Sequence, residues 1–288
     1  MGYIASRQGN AETRVHTFRE ETDIPTPSCR PAAALATLAV FALLAAPAHA
    51  EAGKWRPIFD GRTLDGWTPK IAGFPAGENY ADTFVVRDGA IAVSYAGYDG
   101  KFGGKFGHLF YKTPFKAYRL RLNYRVLDPA LPDTPAWARS NSGLMFDSQS
   151  PQSMSLGQSF PMSVEFQILG RDGEAPRPTG AVCTPGTSIT FGGVKAKEHC
   201  IPSTTAPTIA NGTWTSLELE VLPSGQVTQK INGQVVHRYA DVALDPTDNF
   251  AAVAKPYFET HTTTEGYIAL QSEGHPIEFK DIEVQELR

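Results

Sequence analysis

The segment YRLRLNYRV, Tyr118–Val126, places Leu120, Leu122, Tyr124 and Val126 on one parity and Arg119, Arg121, Asn123 and Arg125 on the other. Strand side chains alternate between the two faces of a sheet, so this period of two describes a strand with one face on a core and the other in water. The segment SVEFQIL, 163–169, repeats the pattern and sets Val164, Phe166 and Ile168 against Glu165 and Gln167. Further strands are predicted at 84–87, 90–94, 144–146, 217–221, 227–231, 235–239 and 267–271.

Turn signals fall between these runs. Asp88-Gly89 and Asn232-Gly233 have the composition of tight hairpin turns. The last strand, PIEFKDIEVQEL, changes face between Phe279 and Ile282, which predicts a bulge. At the other end, WRPIFDGRTLDGW, 55–67, carries Trp55, Phe59 and Trp67 among two Asp-Gly turns, and is expected to be a first strand pinned to the core. Between the strands proline and glycine are scattered, and no helical period is sustained. One antiparallel double-sheet sandwich or jelly roll follows.

The run PAAALATLAVFALLAAPAHA, 31–50, ends in the small-x-small pattern Ala48-His49-Ala50 that a signal peptidase reads. A transmembrane helix needs about twenty apolar residues, and Pro47 and His49 interrupt this run after roughly fifteen. Cleavage is therefore expected to remove 1–50 as a leader and to leave Glu51 as the mature N-terminus, with a single domain over 51–288 in the periplasm or secreted. Residues 1–28 are polar and longer than an ordinary n-region.

The net charge is −4, and the leader holds four Lys+Arg against four Asp+Glu, so cleavage leaves that balance unchanged. No run of Lys or Arg supplies the basic patch that nucleic acid or an anionic membrane requires, so neither is an expected partner. Of three cysteines, Cys29 leaves with the leader. Cys183 and Cys200 then form an even pair in an exported protein, which reads as one disulfide, with two free thiols as the alternative.

Several motif classes drop out. GKFGGKFG, 100–107, superficially suggests a phosphate loop, but Asp99 stands where the first glycine belongs and Phe106 where a magnesium-binding Ser or Thr should be; a mobile loop is expected instead. The histidines lack zinc-site spacing, and no Gly-x-Ser-x-Gly elbow occurs. A glycosylation sequon stands at Asn211-Gly212-Thr213.

IFDGRTLDGW resembles the opening signature of the 3-keto-disaccharide hydrolase domain family. NSGLMF at 141–146 is similar to that family's Asn-Ser-Gly segment, VEFQIL to its Glu-x-Gln-Ile strand, PTGAV at 178–182 to its Pro-Thr-Gly turn, and GYIALQSEGHPIEFKDIEVQEL to its closing pair of strands. The resemblance implies a concanavalin A-like double-sheet fold, an enzyme acting on 3-keto-glycosides, and a carbohydrate as partner. It gives 55–67 a structural role and puts the chemistry elsewhere. After Leu169 the chain departs from the family's pattern, with GRDGEAPR intervening and VCTPGTSITFGGVKAKEHC forming a cysteine-closed insertion.

The implied chemistry sets definite requirements. A ketone at C3 of a sugar acidifies the hydrogen at C2, so a base can remove it and the group on C1 can leave by elimination, with water adding back afterwards. That takes a base, a donor near the ketone oxygen and an acid near the leaving oxygen. Glu165 is the candidate base, on the polar face of its strand with Gln167 beside it. The resemblance brings Arg139, Asn141 and His275 near a cleft, with His275 as a second catalytic candidate and Arg139, Asn141 and Gln167 as sugar-binding ones. Plainer roles stand beside these: a solvent-facing carboxylate for Glu165, exposed turn or loop positions for His275 and Arg139, and a turn cap for Asn141. No cofactor is required outright, although a divalent metal held by Glu165 or His275 could polarise the ketone. Two rivals share the fold. An endoglucanase would carry Glu-x-Asp-x-x-Glu, but Gln167 and Gly170 occupy the second and third acid positions. A lectin-like binding module would stack sugars on exposed aromatics, for which Tyr95, Tyr98, Phe102 and Phe106 are the candidates.

Overall fold

The structure is a computed structural model and describes residues 52–250 and 265–288; the leader and its cleavage point lie outside the described residues. The first strands are β1 (Arg56–Pro57), β2 (Trp67–Ile71), β3 (Phe84–Arg87), β4 (Ala90–Val93), β5 (Gly107–Tyr111) and β6 (Tyr118–Val126). Next come β7 (Asn141–Ser148), β8 (Val164–Leu169), β9 (Val182–Cys183), β10 (Thr187–Phe191), β11 (Val194–Lys195) and β12 (Cys200–Ile201). The last five are β13 (Thr215–Val221), β14 (Val227–Ile231), β15 (Gln234–Leu244), β16 (Tyr267–Ser272) and β17 (Ile277–Glu286).

All pairings between these strands are antiparallel, and they form two sheets. One is ten-stranded, in the order β11-β10-β15-β14-β13-β6-β17-β4-β3 with β1 added to β17. The other is seven-stranded, in the order β12-β9-β8-β7-β16-β5-β2. Strands distant in sequence lie side by side, giving the double-sheet jelly roll of concanavalin-like proteins.

The core between the sheets is built from the expected parities. Tyr118, Leu120, Leu122, Tyr124 and Val126 of β6 face Val164, Phe166 and Ile168 of β8, all of them buried. On the opposite face of β6, Arg119 pairs with Glu220 at 2.6 Å, Arg121 with Glu283 at 2.6 Å and Arg125 with Glu278 at 2.5 Å. The Arg119 and Arg121 pairs are partly exposed and each contributes little on its own, whereas the Glu278 carboxylate of the third pair is nearly covered. Asp88 and Asn232 have positive φ ahead of Gly89 and Gly233, as tight hairpins require. The bulge in β17 falls between Lys280 and Glu283, with Asp281 at φ 54°.

Two expectations are corrected. In 55–67 only Arg56 and Pro57 pair as strand. Asp60 then accepts hydrogen bonds from the backbone N–H groups of Arg62 and Thr63, the chain turns at Gly61 and Gly66, and β2 begins at Trp67. Trp67 serves as the anchor, its indole N–H donating to the Ile58 carbonyl at 2.9 Å. The loop 100–107 is likewise tied down: the Asp133 carboxylate accepts from the N–H groups of Phe102 and Gly103, and the Phe102 ring is buried. Tyr95 and Tyr98 are buried with it, so three of the four aromatics considered for a lectin surface belong to the core.

Cys183 on β9 and Cys200 on β12 face each other across the edge of the seven-stranded sheet and are joined by a disulfide. They are 17 residues apart in sequence, and closing a loop of that size removes unfolded-state entropy worth about 3 kcal/mol. Replacing both with serine is expected to lower the unfolding free energy by about that amount, measured by urea denaturation. An unchanged midpoint and slope would show that the bridge contributes nothing.

Candidate active site

The two faces of the seven-stranded sheet differ in kind. The inner face is the apolar core, whereas the outer face carries a row of polar residues. Lys70, His108 and Gln271 are in register across β2, β5 and β16, and Gly143 and Gln167 across β7 and β8. Glu165 follows on β8, and Glu273 lies just beyond the end of β16, on the same parity as Gln271. An apolar group of Phe110, Met145, Met154 and Ala269, with Phe160 against it, covers part of this face. Met154 and Phe160 come from the segment between β7 and β8, which the Lys70 ammonium fastens by donating to the Leu156 and Ile71 carbonyls at 3.1 Å each.

Under this cover Glu165 is 6% exposed and Glu273 2%. Polar groups removed from water normally find partners, yet here many do not. Among the described residues, both ring nitrogens of His108, both amide atoms of Gln271, Oδ1 of Asn141 and Oε2 of Glu273 have no hydrogen-bond partner. Gly143 makes room for the central carboxyl. A Cβ there would stand 2.5 Å from Oε1 of Glu165 and 2.8 Å from its Cγ.

Burial sets the protonation of the row. Desolvation raises the Glu165 pKa above its ordinary 4.5, and Gln271, which approaches the carboxyl without completing a well-formed hydrogen bond, opposes the rise only in part. Glu273 is raised well above the same value by desolvation first and by the Glu165 charge second, with Arg177 pulling the other way. The two carboxyls titrate as a pair. His108 is pushed down to about 3 by burial and then by the Lys70 charge, so its ring is neutral. Lys70 itself is lowered by burial.

The five candidate residues fall in two places. Glu165, Gln167 and Asn141 share the outer face, with the Asn141 amide donating to the Trp137 carbonyl at 3.2 Å. Arg139 and His275 instead line a cavity of about 430 Å³ at one end of the sandwich, together with Asp128, Arg171, Asp172 and Asn211. There His275 is buried and committed at both nitrogens. Its Nδ1 accepts from the Ser140 N–H at 2.7 Å, and its Nε2 meets the Leu127 carbonyl. Burial lowers its pKa, against the raising contacts of Leu127 and Asp128. The one histidine of this cavity holds backbone, whereas the sheet face carries the unmet polar groups beside a carboxyl pair. Among the described residues no three His, Cys, Asp or Glu side chains converge as a metal cage.

Lys70, His108, Gln271, Glu273 and Arg177 escaped the sequence reading. A signal existed for two of them: in LQSEGH, Gln271 and Glu273 alternate with the core residues Leu270 and Ser272, which assigns them to one face. Arg177 donates to the carbonyls of Trp137, Arg139, Ser140 and Gly170, clamping the start of β7 to the end of β8.

Two outcomes follow from this packing. Gly143→Ala is expected to cost about 1–3 kcal/mol through overpacking, and most of that cost should vanish in a Glu165→Ala background. Equal costs in the two backgrounds would show that Glu165 does not occupy the space. Secondly, both carboxyls bind protons more tightly folded than unfolded, so the fold loses stability as pH rises from about 4.5 through their raised values. Glu165→Gln cannot ionise, and its melting temperature should match the wild type at pH 4 and exceed it at pH 8. Parallel melting curves across that range would mean that Glu165 titrates normally.

Two solved structures from Parabacteroides distasonis, each named as a candidate glycosyl hydrolase, align at TM-score 0.49, one at 15% identity over 82% of this chain and 94% of its own, the other at 17% over 81% and 100%. A Bacillus licheniformis β-glucanase aligns at TM-score 0.44 and 12% identity, over 83% of this chain and 99% of its own. Scores below 0.5 add nothing to what the sheet order establishes. No curated protein matches the sequence. The family model described as 3-keto-alpha-glucoside-1,2-lyase-like domain matches residues 54–285, nearly the whole of the sandwich, and the chain belongs to that family.

Proposed function

We propose that the protein is a carbohydrate-active enzyme that cleaves 3-keto-glycosides by removing the C2 proton and expelling the group on C1, water then adding to the unsaturated sugar. The observation that carries this reading is the concentration of unpartnered buried donors and acceptors around the Glu165 carboxyl. Glu165 is the base. Its raised pKa brings proton affinity toward that of a neutral-pH general base, and the acidified C2 hydrogen of a keto sugar is within its power. As C2 loses its proton, charge moves to the ketone oxygen. The Gln271 amide and the neutral His108 ring each offer a donor without another partner to stabilise it. A neutral imidazole suits that role, since its N–H polarises an oxygen without competing for the proton.

Sugar contacts come from Asn141, Gln167 and Trp137. Trp137 is 55% exposed, and one face of its ring is stacked on Phe106 at 5.6 Å, which leaves the other face for a pyranose ring. This single surface also serves the alternative reading, a binding module without turnover, but the buried carboxyl pair would be an unexplained cost there. Export to the periplasm or beyond, as the run 31–50 suggests, would place the reaction outside the cytoplasmic membrane.

The test is to incubate wild type and Glu165→Gln with a 3-keto-disaccharide and with its unoxidised parent, following products by NMR in deuterium oxide. Turnover of the keto sugar alone is expected, and loss of the base should slow it about 10²–10⁴-fold. Equal turnover of both sugars would overthrow the substrate class, and saturable binding without product would establish the binding module.

A further inference from the structure

We propose that Glu273 is the acid that protonates the departing oxygen, so that Glu165 and Glu273 work as a base and acid pair on the outer face of the seven-stranded sheet. The inference rests on the elimination reading above and adds to it the identity of the second catalytic group. Its geometry is specific. Glu273 stands on the same outer face as Glu165, it is 2% exposed, and its Oε2 has no partner among the described residues.

The charged and titratable groups of the neighbouring strands can be weighed in turn as proton sources. Lys70 of β2 directs its ammonium at two backbone carbonyls. His108 of β5 is neutral and has no proton to release at an ordinary cost. Arg177, whose charge acts on Glu273, never gives up its proton and is spent on four carbonyls. Glu165 is the base and must begin ionised. Glu273 is left, a buried carboxyl with a free oxygen on the same face as the base, its proton affinity raised by desolvation and by the Glu165 charge.

The step balances. The C2–H bond breaks and its proton passes to Glu165, while the electron pair becomes the C1–C2 double bond by way of the enolate. The C1–O bond breaks, its pair leaves with the oxygen, and that oxygen takes the Glu273 proton. One carboxyl has gained a proton and the other has lost one, so exchange with water resets the pair.

An acid matters in proportion to how badly the leaving group needs it, and this separates the role from a structural one. Glu273→Gln is expected to slow cleavage of a 3-keto-disaccharide about 10²–10⁴-fold, but cleavage of a 4-nitrophenyl 3-keto-glucoside, whose leaving group departs without a proton, less than about tenfold. The alkaline limb of the wild-type pH profile should vanish in the variant. Because both rates come from one preparation, their ratio does not depend on how much of the protein is folded. Should Glu273→Gln fail to fold, Glu273→Asp, with its carboxyl drawn back by one methylene, gives the same ratio test. Equal losses on the two substrates would overturn Glu273 as the acid while leaving the elimination intact. A wild type inactive on both would remove the elimination itself, and the proposal with it.

Discussion

Glu165 and Glu273 are carboxyls held out of water on a sheet that is covered on both sides, and most of what is unusual in the structure answers to that. A buried carboxylate without a compensating cation is strongly disfavoured, and such a group takes up a proton instead. The nearest cations do not relieve the pair, for Lys70 and Arg177 spend their donors on backbone carbonyls. Those contacts have a geometric use. Lys70 secures the segment that covers the row, and Arg177 fixes the junction from which Asn141 and Trp137 project. The cations therefore shape the surroundings of the row without forming a salt bridge to either carboxyl, and desolvation keeps the proton affinity of both raised.

How much was legible in the sequence follows from the same two-sided burial. The strands of the ten-stranded sheet have one face in water, so β6 and β13 alternate cleanly and reveal themselves. β5 is buried at every position, because His108 and Phe110 are covered on the outer side while Leu109 and Tyr111 enter the core. Alternation in burial disappears there, and GHLFY carries no clear period. Glu165 and Gln167 could be read because their strand retains a polar parity. The partners of Glu165 could not, since Lys70, His108 and Glu273 come from distant segments that only the sheet order brings together. Family resemblance supplied the fold and the order of motifs, but not that His275 would line an end cavity with its two nitrogens engaged by backbone.

His275 illustrates how a functional expectation turns into a positioning one. Its two nitrogens link Ser140 to Leu127, and Ser140, at φ 47°, is the residue at which the chain turns into β7. The neighbouring Ser140 carbonyl accepts from Gly170, and Gly170 is bonded to the same region through Arg177. Asn141 begins its strand from that fixed point. A histidine engaged in this way ties the start of β7 to the end of β6 through the backbone on either side.

The two carboxyls also bear on why direct hydrolysis fits this site poorly. A retaining glycosidase needs one carboxylate ionised beside a developing oxocarbenium ion, while its partner stays protonated. Such a nucleophile works against a developing positive charge, whereas the unpartnered groups beside Glu165 are the neutral donors of Gln271 and His108, which suit a developing negative one. Elimination from a keto sugar asks for something different. Its transition state is electron-rich, the charge collects on an oxygen that neutral donors can hold, and a base of raised proton affinity is an advantage because it takes a carbon-bound proton more readily. The dry row of Gln271, His108 and two proton-hungry carboxyls favours the anionic path for the same reason that it disfavours the cationic one.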